Sequence, residues 1–144
     1  MINFADRAAV SISSQNRDFV DQLCQKDILG FDSLETKDIF MFVCALGLNN
    51  PTEFKNKVSY VRTSYFKNID DRAILIATKL GTAKTTDEID KYCNIEFSYG
   101  EAEKCANTGF DILKEKLDQA KGDEELLAAQ MLLYLDALYQ KHLK

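Results

Sequence analysis

The longest uninterrupted run of apolar residues is Ile39 to Leu46, eight positions inside the stretch FDSLETKDIFMFVCALGL at 31–48. Eight residues fall far short of the roughly 20 that cross a bilayer, and they are too uniform for a half-exposed surface helix. The pattern predicts a central helix over about 33–46, buried on most of its circumference. Asp32 is placed to cap it, with Glu35 three residues later to reach back to the cap, and Asp38 puts negative charge near the positive end of the helix dipole. Gly47 suits a left-handed stop, with Leu48 folding back onto the last turn. A helix buried in this way needs neighbours on several sides, so the other segments are expected to wrap it.

Before it, Ala8 to Ser13 alternates like a short strand, so residues 1–13 are expected to be extended or flexible; Ser13-Ser14 is a good helix start. Phe19, Val20, Leu23, Cys24 and Ile28 then mark one helical face over about 14–28, which Gly30 ends. After the central helix, Asn49-Asn50-Pro51 reads as a turn, and Phe54 to Phe66 is rich in β-branched and aromatic residues, so 54–67 is expected to be extended or irregular. Asn68 can cap a helix over about 69–80, with Asp70 and Asp71 in its first turn, Ala73, Ile74, Ile76, Ala77 and Leu80 inward, and Gly81 after it. Thr85 to Glu88 and Ser98 to Glu101 both match the capping box, predicting a short helix at about 86–93 and a long one at about 99–120. Gly109 inside the long helix costs about 1 kcal/mol against alanine, which points to a close crossing by another helix. Gly122 ends that helix and Asp123 caps the last, whose inward stripe is Leu126, Leu127, Met131, Tyr134 and Leu138. The expected fold is all-α: a single domain over 1–144, an irregular bundle of about six helices around the central one.

Composition supports that class. One proline and six glycines in 144 residues are too few for the many turns of a β-sandwich. With 18 Lys+Arg against 23 Asp+Glu the net charge is −5, which opposes non-specific nucleic-acid binding by the molecule as a whole. The four cysteines, Cys24, Cys44, Cys93 and Cys105, include no C-x-x-C pair and fall at helical apolar positions, where a thiol behaves as a small hydrophobe. The only histidine, His142, lies close to the C-terminus, which disfavours a zinc site. Met1 to Ser13 has no apolar signal-peptide core and no transmembrane run is present, so a cytoplasmic protein is expected.

Candidate chemistry is sparse. No nucleophile elbow, phosphate-binding loop, H-E-x-x-H motif or EF-hand loop occurs. Asp70/Asp71, Glu101/Glu103 and Asp123/Glu124/Glu125 could furnish carboxylates for a metal, but all lie at predicted helix N-termini, where negative charge is favourable without a ligand. Arg72 reads as an ion-pair partner across a helix crossing and Asn107 as a polar contact beside Gly109. Neither enzymatic activity, nor a cofactor, nor a metal is expected. The remaining candidate site is the basic and aromatic stretch of Lys55, Lys57, Tyr60, Arg62, Tyr65 and Lys67, in which no acid falls between Glu53 and Asp70. Cations interleaved with rings suit a phosphate backbone with stacked bases or an acidic protein surface. The bland alternative is that Val58, Tyr60, Phe66 and Ile69 pack inward while the cations are merely solvated.

Three segments together, FDSLETKDIFMFVCALGL at 31–48, DDRAILIATKL at 70–80 and AEKCANTGFDIL at 102–113, resemble the Dnd system-associated proteins, small prokaryotic proteins found beside DNA phosphorothioation genes. The resemblance covers about residues 28–115. It rests on Phe31, on Lys37-Asp38-Ile39-Phe40-Met41 with Ala45-Leu46-Gly47, and on a later Tyr-Ala-Asn-Gly-Gly run. Here that run stands as Cys105-Ala106-Asn107-Thr108-Gly109, with the tyrosine and one glycine changed. What the resemblance implies is a role near a prokaryotic system that marks DNA or restricts foreign DNA, such as phage defence; it carries over no catalytic residue. The expected function is therefore a non-enzymatic accessory or adaptor protein with a protein partner. The alternative is a small nucleic-acid-binding protein using 55–67, and a carboxylate-metal nuclease is a third reading. No membrane association is expected, and self-association into a homo-oligomer is left open.

Overall fold

The computed structural model describes residues 9–48, 50–66, 84–92 and 95–142. The predicted helix over 69–80, with Asp70, Asp71 and Arg72, lies outside these residues, as do Lys67 and Cys93.

Strand β1 (Ala9–Ser13) pairs antiparallel with β2 (Lys57–Arg62), so the chain is predominantly helical rather than all-α. The strand-like alternation before Ser13 and the β-branched stretch after Phe54 find each other because each otherwise leaves a row of unpaired backbone groups. Val10 and Ile12 face the core, opposite Val61 and Val58. Ser11 pairs with Ser59 while Val10 pairs with Val61, which leaves Tyr60 as the extra residue of a β-bulge. A short 3-10 turn, Thr63–Tyr65, then brings Phe66 into the core.

Helix α1 (Ser14–Gln25) starts where expected: Ser13 is extended, and its Oγ accepts a hydrogen bond from the Asn16 N–H at 3.1 Å. It ends before Gly30, at a turn in which Asp27 and Leu29 both take positive φ, and a 3-10 segment, Ile28–Ser33, follows. Asp32 belongs to that segment and does not cap the central helix. Helix α2 (Thr36–Leu46) instead has Glu35 at its N-cap, with no side-chain hydrogen bond. Ile39, Phe40, Val43 and Leu46 are buried, whereas Met41, Phe42 and Cys44 are half-buried and Ala45 is exposed, so α2 buries one broad face and not its whole circumference.

Helix α3 (Thr86–Tyr92) has the first half of the expected box, Thr85 Oγ1 accepting from the Glu88 N–H at 3.2 Å, while Glu88 Oε2 reaches past the cap and accepts from the Lys84 N–H at 2.6 Å. The second expected box is absent, because helix α4 (Ile95–Ala120) already begins at Ile95 and Ser98 is buried within it. Gly122 turns the chain with φ +83, and Asp123 Oδ1 caps α5 (Glu124–His142) by accepting from the Glu125 and Leu126 N–H groups at 3.0 and 3.2 Å.

The core is the crossing of α2 with α4. A Cβ on Gly109 would overlap the Val43 carbonyl, and one on Gly47 would overlap the Cys105 carbonyl. Gly47 is thus required by close approach; its φ of −99° is not left-handed. Around the crossing, Phe40 lies 6.2 Å from Phe66, and Phe66 lies 6.0 Å from Tyr99, between ring centroids. Ala102, Ala106, Phe110 and Leu113 complete the buried side of α4. Among the described residues no helix is long and apolar enough to cross a membrane.

Candidate functional site

The basic and aromatic residues picked out in the sequence do not form one strip. Lys55 lies in the bend before β2, where Asn56 takes φ 58° and its carbonyl accepts from the Ser14 N–H at 2.9 Å. Lys57 opens the strand with its ammonium 5.0 Å from the Phe54 ring centroid. Arg62 closes the strand, roughly 17 Å away at about 3.3 Å per residue. Tyr65 follows in the 3-10 turn, half exposed, and lines a different cleft with Glu35, Thr36 and Lys37 at the start of α2.

Tyr60 is withdrawn from contact with a ligand. The bulge turns its ring inward under the Arg17 guanidinium, 5.6 Å from the ring centroid, while Arg17 also donates to the Ser59 carbonyl at 3.1 Å. The Tyr60 hydroxyl is buried without a hydrogen-bond partner, and burial is the main cause that raises its pKa above the ordinary tyrosine value. Lys55 and Lys57 therefore share a neighbourhood, whereas Arg62 and Tyr65 belong to another.

A polar cleft beside Lys55 was not legible in the sequence. It has a volume of about 410 Å3, and its lining includes Asn16, Phe54, Lys55, Asn107, Asp111 and Lys114. Asn16, 2% exposed, donates from Nδ2 to Asn107 Oδ1 at 3.3 Å and accepts at Oδ1 from the Lys114 ammonium at 2.7 Å. Asn107 in turn donates to Thr52 Oγ1 at 2.8 Å. The expected polar role of Asn107 is present, but it ties α4 to α1 and to the segment before β2 rather than to α2. Lys114 also lies 5.3 Å from the Phe19 ring centroid, and among the described residues no carboxylate pairs with it.

The acids are engaged elsewhere. Lys104 bonds Glu53 at 3.0 Å and Glu101 at 3.3 Å, and these contacts, Glu53 first, raise its pKa. Buried Glu103 accepts from the Ser11 N–H, fastening β1 to α4. Among the described residues no three His, Cys, Asp or Glu side chains form a group able to hold a metal ion. Cys24, Cys44 and Cys105 each donate from the thiol to a backbone carbonyl, and burial raises the pKa of Cys24.

Among the described residues, α5 carries more exposed large apolar side chains than any other element. Leu127 and Met131 are buried and the Tyr134 hydroxyl donates to the Leu46 carbonyl at 3.2 Å, so one side of the helix is docked. Leu126, expected on that inward stripe, is instead 43% exposed, and Leu132, Leu133 and Leu135 are 68%, 70% and 38% exposed. The clue in the sequence was MLLYLDAL, in which leucines occupy more than one helical face. A helix apolar all round is expected to be covered all round, and here the described residues cover one side. No protein-family model, no curated protein and no solved structure matches the chain.

Proposed function

We propose that this is a non-enzymatic accessory or adaptor protein whose working surface is the outward side of α5. The observation that carries the reading is the exposure of Leu126, Leu132, Leu133 and Leu135 on one helix. Scattered exposed leucines are ordinary, but four on a single helix form the kind of apolar surface that marks a protein contact. The rest of the molecule supports it as a rigid carrier: the α2–α4 crossing fixes α4, and α4 presents α5. The resemblance to Dnd system-associated proteins adds a setting, the cytoplasm of a prokaryote, near a system that marks DNA or restricts foreign DNA.

Crosslinking in the native cell with wild type, Leu132→Glu/Leu133→Glu and Lys57→Ala/Arg62→Ala tests the reading. A defined partner should be held by wild type and by the basic-segment variant and lost from the leucine variant. Loss from the basic-segment variant alone would overturn it.

The second reading, a small nucleic-acid-binding protein, is favoured by Lys55 and Lys114 lining one cleft with Phe54, and by Lys57 over that ring. Duplex or single-stranded DNA bound with a dissociation constant of about 1 μM or below at physiological salt, and weakening steeply as salt rises, would establish it over the adaptor.

A further inference from the structure

We infer that the polar cleft between the start of α1 and α4 binds one nucleoside phosphate, with the phosphate on Lys114 and Lys55, the base against Phe54, and a hydroxyl or amino group on Asp111. This is independent of the α5 surface and names a ligand for a part of the molecule that docking through α5 does not use.

Lys114 is the anchor. Asn107, Asp111 and Lys114 follow one another on α4 at steps of four and three, so they share one face, and that face meets Asn16 of α1. The Lys114 ammonium has three N–H donors; it gives one to Asn16 Oδ1 at 2.7 Å and lies beside the Phe19 ring. Asp111 is one turn away on the same helix, yet no ion pair joins the two, and among the described residues neither Lys55 nor Asp111 forms one. A half-buried ammonium ordinarily ends on a carboxylate, because desolvating a charge is costly. Here a neutral amide holds it, so its charge is left for an anion. The amide is itself fixed, since buried Asn16 donates to Asn107 and Asn107 donates to Thr52. A cation held in place before its ligand arrives loses little freedom on binding.

The rest of the lining separates a nucleoside phosphate from simpler and from larger anions. Among the described residues that line the cleft, two lysines stand against one acid, so it is locally cationic in a chain of net charge −5. Asp111 repels a bare phosphate but can accept from a sugar hydroxyl or a base amino group. Phe54 supplies a ring on which a base can stack. The volume of about 410 Å3 falls within the roughly 300–1,000 Å3 of small-ligand clefts. A nucleic-acid strand needs a track of cations leading out of the cleft, and Arg62 stands at the far end of β2, roughly 17 Å from Lys57.

Isothermal titration calorimetry of the full chain tests the site. The probes are adenosine, guanosine, cytidine and uridine 5′-monophosphates, the matching nucleosides, inorganic phosphate, and a 5′-phosphorylated oligothymidylate of about 12 residues. At least one monophosphate should bind, one per chain, with a dissociation constant below about 500 μM, and its nucleoside and inorganic phosphate should each bind at least about tenfold more weakly. Lys114→Met, which keeps the apolar stem, should weaken that monophosphate by about tenfold, and Lys55→Ala by about threefold. Asp111→Asn should narrow the preference for the monophosphate over inorganic phosphate by about threefold, a change in selectivity that misfolding does not mimic. Lys55 is exposed in a bend, so its variant reads the site even where circular dichroism shows Lys114→Met unfolded. Leu132→Glu/Leu133→Glu should bind as wild type does, so this proposal and the reading of α5 fail separately. The proposal is overturned if no monophosphate binds below about 500 μM, or if inorganic phosphate binds within about tenfold of the monophosphate. Unchanged affinity in Lys55→Ala also overturns it. So does an oligonucleotide bound more than about tenfold tighter than any monophosphate, which makes the cleft part of a strand-binding surface.

Discussion

The α2–α4 crossing and the α5 helix draw on the same apolar residue types and end in opposite conditions. At the crossing, backbone meets side chain so closely that Gly47 and Gly109 admit no Cβ, and Phe40 and Val43 are fully buried. On α5, Leu132 and Leu133 are largely exposed, while Leu127, about a turn and a half earlier, is buried. Hydrophobicity alone therefore does not place a residue inside. Complementary shape on the facing element does, and α5 meets such a face on one side.

The sharpest way to break that contrast is Phe40→Ala. Removing a fully buried ring should cost roughly 3 to 5 kcal/mol, read from urea melts. A loss below about 1 kcal/mol would mean the crossing is not the core. Gly109→Ala comes next. Helix propensity alone would favour alanine by about 1 kcal/mol, so a net loss of roughly 2 kcal/mol or more, from overlap with the Val43 carbonyl, isolates the crossing as the cause. A stabilised variant would show that the two helices are not in contact there.

On the other side, Leu133→Ala in dilute protein should change stability by less than about 0.5 kcal/mol, because the side chain is largely solvated. Urea melts of Leu133→Ala beside Phe40→Ala read the contrast directly. The smallest effect belongs to Lys57→Ala/Arg62→Ala. Both residues are exposed and unpaired among the described residues, and thermal melts should show under about 0.5 kcal/mol.

What the sequence made legible was local. Ser13, Thr85, Gly122 and Asp123 each bound their helices through contacts within a few residues, and periodicity or a capping pattern exposed all four. Gly109 was legible because a glycine in mid-helix costs energy that some approach must offset. The β1–β2 pairing was not, because alternation at 8–13 and β-branching at 54–66 mark two segments as extended or irregular without saying that they meet. Asp32 and Ser98 looked like caps because the motif records residue types and spacing, while the left-handed turn at Asp27 and Leu29 and the early start of α4 moved the helix ends. The exposure of Leu132 and Leu133 was illegible for the same reason: spacing shows which positions are apolar, and only the neighbours show which are covered. Tyr60 left the candidate site through a bulge whose register depends on β1.

The pairing of β1 with β2 also sets an order of events. Residues 14–56 lie between the paired ends Ser13 and Lys57, and closing a loop of that length costs roughly 3 kcal/mol in chain entropy beyond the constant of closure, before any ladder bond forms. The helices between the strands need no such closure and can form first, so the sheet is expected to zip late, once α1 and α2 have brought its strands within reach. Substitutions at Val10 or Val61 should therefore quicken unfolding and leave the folding rate nearly unchanged, while Phe40→Ala should slow folding; stopped-flow chevrons of the three variants would reveal the sequence.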